Sequence, residues 1–255
     1  MTFTDTHCHL ADPKLADTLP AVLTEAQAAG VARFIVPATS PKDWQAVAQL
    51  ERPSENIHIA LGIHPWFSDG LNEAAFQQLK EELIQHPQAW VGEIGLDFYG
   101  KEQTQAQRGT QTDVFIRQLI LAQNLNRRVI IHNLKATAAI AAAVKTAGFT
   151  QGGIVHAFSG SVEEARILVK LGFKIGIGSL LLNPNAKKVR AALQALNDTD
   201  FVLETDSPFM LGHETNTPAN IRHIAEIATE LRGVPLAQLA EITEQNVDYL
   251  LHTSP

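Results

Sequence analysis

Short apolar runs alternate with segments of helical period along the whole chain. The runs are FTDTH, ARFIVPA, IHIALGI, AWVGEIGL, RRVIIH, GGIVHAF, FKIGIG and FVLETD, eight in all, and they read as strands. Between them, apolar side chains return every three or four positions. Phe76, Leu79 and Leu83 form one such stripe, and Ile221, Ile224, Ile227 and Leu231 form another, so these segments are predicted to be helices with one buried face. Helix starts are marked too. Ser40 followed by Pro41 reads as an N-cap with a proline in the first turn, and Ser161 to Glu164 reads as a capping box. A last helix is expected around residues 235–251.

Eight strands each followed by a helix make the pattern of an α/β protein, a (β/α)8 TIM-type barrel. No linker, low-complexity tract or internal repeat divides the chain, so residues 1–255 are read as one barrel domain. The competing architecture is an open doubly wound sheet. A glycine-rich phosphate fingerprint opening a helix would favour it, and the sequence has none.

Composition narrows the class. With 255 residues and 45% hydrophobic content, the chain can bury a large core. Cys8 is the single cysteine, the polar start MTFTDTHCH lacks the basic and apolar regions of a secretory signal, and no apolar run approaches a membrane span of ~20 residues. A cytoplasmic location without membrane contact is expected, and nothing argues for an obligate protein partner. The net charge of -7 argues against a broad basic surface for duplex nucleic acid. It leaves open a nucleic-acid substrate held at a metal centre.

In a barrel the site lies at the C-terminal ends of the strands. The runs end in His7 and His9, His64, Glu93, His132, His156 and Asp206. Residues i and i+2 leave one face of a strand, so Asp5, His7 and His9 are expected to point together and Cys8 away. A lone histidine is ordinarily a packed or surface residue, but two on one face, bracketed by Asp5 and Asp12, favour a metal. Four imidazoles (His7, His9, His132, His156) and two carboxylates (Glu93, Asp206) exceed the needs of one tetrahedral ion. A binuclear centre is therefore expected: His7, His9 and Asp206 on one cation, His132 and His156 on the other, and Glu93 shared. The donor set, without thiolate, suits zinc, manganese, iron or cobalt better than an all-oxygen magnesium site, although affinity order and cellular supply can decide otherwise, for magnesium too.

The motifs DTHCH, GIHPW, GEIGLDFY, VIIHN, HAFSG, ETDSPF and NTPANI together resemble the TatD family of metal-dependent hydrolases, within the amidohydrolase group. The resemblance runs from residue 5 to about Asn246. It implies a barrel, divalent metals and, in several members, deoxyribonuclease activity, often 3′-to-5′ on single strands. The family's metal positions correspond to His7, His9, Glu93, His132, His156 and Asp206. Where the family often has an arginine two residues after the fifth-strand histidine, this chain has Leu134.

The expected function is thus a two-cation phosphodiesterase on DNA, with Glu93 and Asp206 as catalytic groups and Asp206 as general base. The alternative from the same centre is hydrolysis of a small amide, ester or lactone. A metal-stabilised scaffold is disfavoured, because a structural zinc closes its shell with four ligands, usually including cysteines. His64 is assigned to substrate contact, with a turn that packs Trp66 on the mouth as the plain alternative. Asp97, Glu204 and Asp5 could orient ligand histidines, or could be capping or backbone-bonded carboxylates. Lys101, Arg108, Lys135 and Lys187 are candidate phosphate contacts, and His213 could reach a substrate.

Overall fold

The structure, a computed structural model, describes residues 1–52, 56–100 and 102–252; Lys101 lies outside the described residues. All eight apolar runs contain strands: β1 (Phe3–Asp5), β2 (Val31–Pro37), β3 (Ile57–Leu61), β4 (Trp90–Asp97), β5 (Val129–Leu134), β6 (Gly153–Val155), β7 (Phe173–Ile177) and β8 (Phe201–Leu203). They form one sheet in chain order, every neighbouring pair parallel. The seam between β1 and β8 is joined beyond the strand ends. Thr6 N–H donates to Leu203 O at 3.0 Å, Asp206 N–H to His7 O at 2.9 Å, and Cys8 bridges Ser207.

Helices α1 (Pro13–Ala16), α2 (Leu19–Ala28), α3 (Trp44–Ala48), α4 (Glu73–Gln85), α5 (Gln105–Asn124), α6 (Thr137–Thr146), α7 (Val162–Lys170), α8 (Lys187–Ala195), α9 (Ile221–Arg232) and α10 (Leu236–His252) complete the barrel. Phe76, Leu79 and Leu83 bury the inner face of α4. On α9, Ile221 and Ile224 are buried, and Ile227 and Leu231 pack against the core from its edge. The capping box of α7 forms as expected, Ser161 Oγ accepting from Glu164 N–H and Glu164 Oε2 from Ser161 N–H. The start expected at Ser40 does not form. Asp43 takes the N–H groups of Thr39 and Ser40, each at 2.9 Å, and holds the chain in a turn, so α3 begins only at Trp44.

The barrel interior explains where the site must be. Ile35, Ala60, Trp90, Ile130, Ile154 and Val202, from six strands, form one buried cluster with Val247 and Leu250 of α10. α10 closes the N-terminal end of the strands: Arg33 pairs with Glu244 at 2.6 Å and Asp248 at 2.7 Å, and Arg128 Nε donates to Leu250 O at 2.7 Å. Two residues beyond Ile130, Ile154 and Val202, on the same strand face, come His132, His156 and Glu204. The interior thus changes from apolar to ionisable along these three strands, at the end that α10 leaves open.

Candidate metal centre

The strand-end residues converge. His7 Nε2 lies 3.2 Å from His9 Nε2, 3.3 Å from Glu93 Oε2 and 3.5 Å from Asp206 Oδ1, and His9 Nε2 is 3.4 Å from the same Asp206 oxygen. The other oxygen of Glu93, Oε1, faces a second group: His156 Nε2 at 2.7 Å, His132 Nδ1 at 3.0 Å and His64 Nε2 at 3.3 Å. The His7 and His156 rings stack at 3.8 Å. Cys8 turns away as expected and is buried with its thiol toward Ile35 O.

Local backbone makes this convergence possible. Asp206 and Ala157 adopt left-handed conformations, φ 56° and 45°. The first aims the Asp206 carboxylate inward; the second turns the chain sharply just after His156. Gly95 lets β4 approach β5, since a Cβ there would stand 2.1 Å from His132 O. Gly176 leaves space for the Glu204 carboxylate, whose Oε2 a Cβ would approach to 2.5 Å.

The donor set fits a cation. Two imidazole nitrogens that face each other can share only one proton, and here both also face carboxylate oxygens. Nδ1 of His7 and of His156 and Nε2 of His132 are buried without a hydrogen-bond partner among the described residues, so the hydrogen bonding of these rings is directed at the centre through their other nitrogens. His7, His9 and Glu93; His7, His156 and Asp206; and His64, Glu93 and His132 each offer three ligand atoms within 4.8 Å.

Electrostatics agree. Burial, reinforced by the nearby His156, lowers His7 to about 4, so its ring is neutral. Burial opposes ionisation of Glu93, but His156, His64 and hydrogen bonds from His132 and His156 hold it well below the usual carboxylate range. Asp206 is also held low, burial being outweighed by the hydrogen bond from His9. Burial likewise opposes charge on His9 and His132, yet Asp206 and Glu93 raise His9, and Asp97 and Glu93 raise His132, each to about 9. Without a cation, protons on these two rings neutralise the carboxylates.

The surrounding residues separate into distinct tasks. Asp97 Oδ2 accepts the Trp66 indole N–H at 2.7 Å and lies 3.5 Å from His132 Nε2, an ion-pair distance on the side of the ring away from the centre, while Nδ1 faces Glu93. Glu204 does not reach a ligand imidazole; its Oε1 accepts the Ala157 N–H, fixing the backbone beyond His156. Burial, then the charge of Asp206, raises its carboxyl well above the ordinary range. Asp5 does not join the histidines. It accepts Thr205 N–H at 2.9 Å, Thr205 Oγ–H and His7 N–H, the backbone-bonded alternative. Burial raises it to about 7. Asp12 caps α1 through Lys14 N–H and has no part in the centre.

His64 stands closer to the centre than a peripheral substrate contact. Its Nδ1 accepts Trp66 N–H at 3.2 Å, which leaves the proton on Nε2, facing Glu93. Of the other expected cations, Arg108 is engaged by Gln103 and the Phe98 ring, whereas Lys135 and Lys187 are exposed. His213 is exposed in the loop after β8. Thr205 and Asn216 were not singled out by sequence. Asn216 is fully buried and donates to Thr205 O and Ser179 Oγ, which fixes the residue before Asp206.

A family model described as TatD related DNase matches residues 4–252. The chain belongs to the TatD-related DNase family. This TatD-family chain is 33% identical to the uncharacterized metal-dependent hydrolase YjjV of Escherichia coli K12, over 99% of this chain and 98% of that protein. It is 30% identical to the uncharacterized metal-dependent hydrolase YabD of Bacillus subtilis, over 96% and 97% of the two chains. A human relative named deoxyribonuclease TATDN3 is 30% identical over 95% and 92%. The crystal structure of E. coli YjjV superposes with a TM-score of 0.90 at 32% identity, covering 98% of each chain. The TatD-family chain is a metal-dependent hydrolase on a TIM-type barrel, and no described helix is long and apolar enough to cross a membrane.

Proposed function

We propose that this hydrolase cleaves phosphodiester bonds of single-stranded DNA from a 3′ end, using two divalent cations, zinc or manganese before magnesium. The observation that carries this reading is the division of Glu93: Oε2 faces His7 and His9, and Oε1 faces His132 and His156. His7, His9 and Asp206 would hold one cation, His132 and His156 the other, and Glu93 both. The cations supply Lewis acidity, lowering the pKa of a water and neutralising charge on the phosphoryl group. DNA as the substrate is supported by the human relative's name.

The chain's own groups have separable duties. Asp206, held ionised and aimed inward, takes the proton of the attacking water. His64 presents Nε2–H to Glu93 and can turn that donor to a non-bridging phosphate oxygen. Asp97 keeps His132 in the tautomer that offers Nδ1. Lys135, exposed just past β5, gives a cation near Leu134, where the family often has an arginine. Cys8, free and buried, suits a reducing cytoplasm.

Leu134 also favours a second reading, hydrolysis of a small uncharged amide, ester or lactone, because a phosphate clamp is missing there. Digestion of end-labelled single-stranded DNA by the metal-loaded protein and by Glu93→Gln, beside a lactone and amide panel, separates the two. Shortening from the 3′ end, abolished by chelator and by Glu93→Gln, is expected. Turnover of a lactone or amide with intact DNA would overturn the assignment.

A further inference from the structure

Large aromatic side chains are usually covered, because each buries a large apolar surface. Among the described residues five are exposed, and four of them, Trp66, Phe67, Tyr99 and Phe209, lie in the loops that follow β3, β4 and β8. They rim the mouth that holds the candidate centre. The fifth, Tyr249, belongs to α10 at the closed end.

Two of the four are tied to the centre from opposite sides. Trp66 is 70% exposed, yet its indole N–H is fixed on Asp97 at 2.7 Å and its ring meets His64 edge-on at 4.9 Å. Its polar edge is satisfied and its position set, while the ring remains open to solvent. Phe209 is 42% exposed and meets His9 edge-on at 5.5 Å, with the exposed Lys14 ammonium 5.6 Å over its ring. Trp66 therefore flanks the half of the centre with His64 and His132, and Phe209 flanks the half with His9. Glu93 lies between the halves.

From this arrangement we propose that Trp66 and Phe209 are stacking sites for two neighbouring unpaired nucleobases, one on each side of the scissile phosphate. This rests on the DNA reading given above. Any base offers a π-face, so the sites tolerate sequence; a duplex keeps its bases stacked on each other and cannot offer one to each ring. The rim selects unpaired ends, and Lys14 beside Phe209 meets the phosphate of the base seated there.

The test uses two readouts. Trp44 and Trp90 are buried, so stacking on a tryptophan reports Trp66. Metal-loaded Asp206→Asn protein, titrated with a single-stranded oligonucleotide, should lose tryptophan fluorescence. An oligonucleotide with abasic residues at its last two positions should not produce this loss, nor should the Trp66→Phe background. In the second readout, Phe209→Ala in the otherwise wild-type holoenzyme should lower kcat/KM on intact single strands by about 5- to 150-fold. It should cause no further drop on the abasic strand, and Phe209→Trp should restore the rate. Equal cleavage of intact and abasic strands, with Phe209→Ala indistinguishable from wild type, removes the stacking sites and leaves the nuclease. Base-dependent quenching without cleavage of either strand removes the nuclease and leaves the stacking sites. Trp66 shielded from a small neutral quencher in the free protein would mean that another protein surface covers the rim, and would overturn the proposal.

Discussion

Asp97→Asn tests whether the centre has two separable halves. Asp97 Oδ1 accepts Tyr99 N–H at 3.0 Å; Oδ2 accepts Trp66 Nε1–H at 2.7 Å and lies 3.5 Å from His132 Nε2. An asparagine has one acceptor oxygen and one NH2 group, so it must turn a donor toward one of these groups. If the NH2 faces His132, a lone pair on Nε2 becomes favourable and the proton moves to Nδ1, the nitrogen 3.0 Å from Glu93. If it faces Tyr99, a backbone N–H is left against a donor, and His132 still loses its charged partner. Loss of a carboxylate behind a ligand histidine costs about 10- to 100-fold in metal affinity, or about 1.4 to 2.8 kcal/mol. Calorimetric titration of the metal-free protein should show one binding step weakened by this amount. The other should be unchanged, because none of His7, His9 and Asp206 is bonded to Asp97. Unaltered affinity at both steps, or equal weakening of both, would refute the division.

Three further outcomes follow from the geometry. Asp206→Asn should keep the melting temperature, since asparagine also tolerates the left-handed backbone at φ 56°, and should lower kcat by about 10²- to 10⁴-fold; near wild-type turnover would remove the general-base role. His9 and His132, raised to about 9, are protonated below that pH and compete with cations, so affinity should rise with pH up to about 9. Loading at pH 7 in weak buffer should then release about two protons, and release of none would contradict the assignment. Gly95→Ala, with φ 140° and a Cβ 2.1 Å from His132 O, should cost more than about 3 kcal/mol in urea unfolding, whereas Gly109→Ala in α5, with open space around it, should stabilise by up to about 1 kcal/mol.

The strands were legible because most carry a continuous apolar run, and the candidate ligands because six of the eight runs end in an imidazole or carboxylate where a barrel has its mouth. What sequence could not show depends on contacts between distant loops. Asp5 and Thr205 are 200 residues apart, and only closure of the seam makes Asp5 a backbone clamp and not a neighbour of the histidines. The approach of Asp97 to His132 depends likewise on the loop after β3, which delivers the Trp66 indole to the same oxygen. Ser40 looked like a cap because Ser-Pro commonly starts a helix; Asp43, three residues on, supplied a better acceptor for the free amides.

The two halves of the centre rest on unequal supports. Glu93 and His132 stand on β4 and β5, which pair from Val91↔Val129 through Asp97↔Leu134 with a register shift between Val91 and Ile94, whereas His156 lies just past the three-residue β6. His7, His9 and Asp206 lie beyond the ends of β1 and β8, strands of three residues each. These are joined by a few bonds, among them Thr6 N–H to Leu203 O, Asp206 N–H to His7 O and His9 N–H to Ser207 O. A cation on His7, His9 and Asp206 would add a bond across the seam between β1 and β8, where these few bonds stand in for a ladder. Binding to the closed state alone slows opening by the factor 1 + [L]/Kd, about 100-fold at free cation 100 times Kd. Amide exchange should therefore slow by about that factor at Thr6, His9 and Asp206 on metal loading, and much less at the amides of Ile94 to Asp97 and Ile131 to Leu134, where β4 and β5 pair residue by residue. Uniform protection of all strands would mean that the barrel opens only as a whole and that the seam is no weaker than the rest.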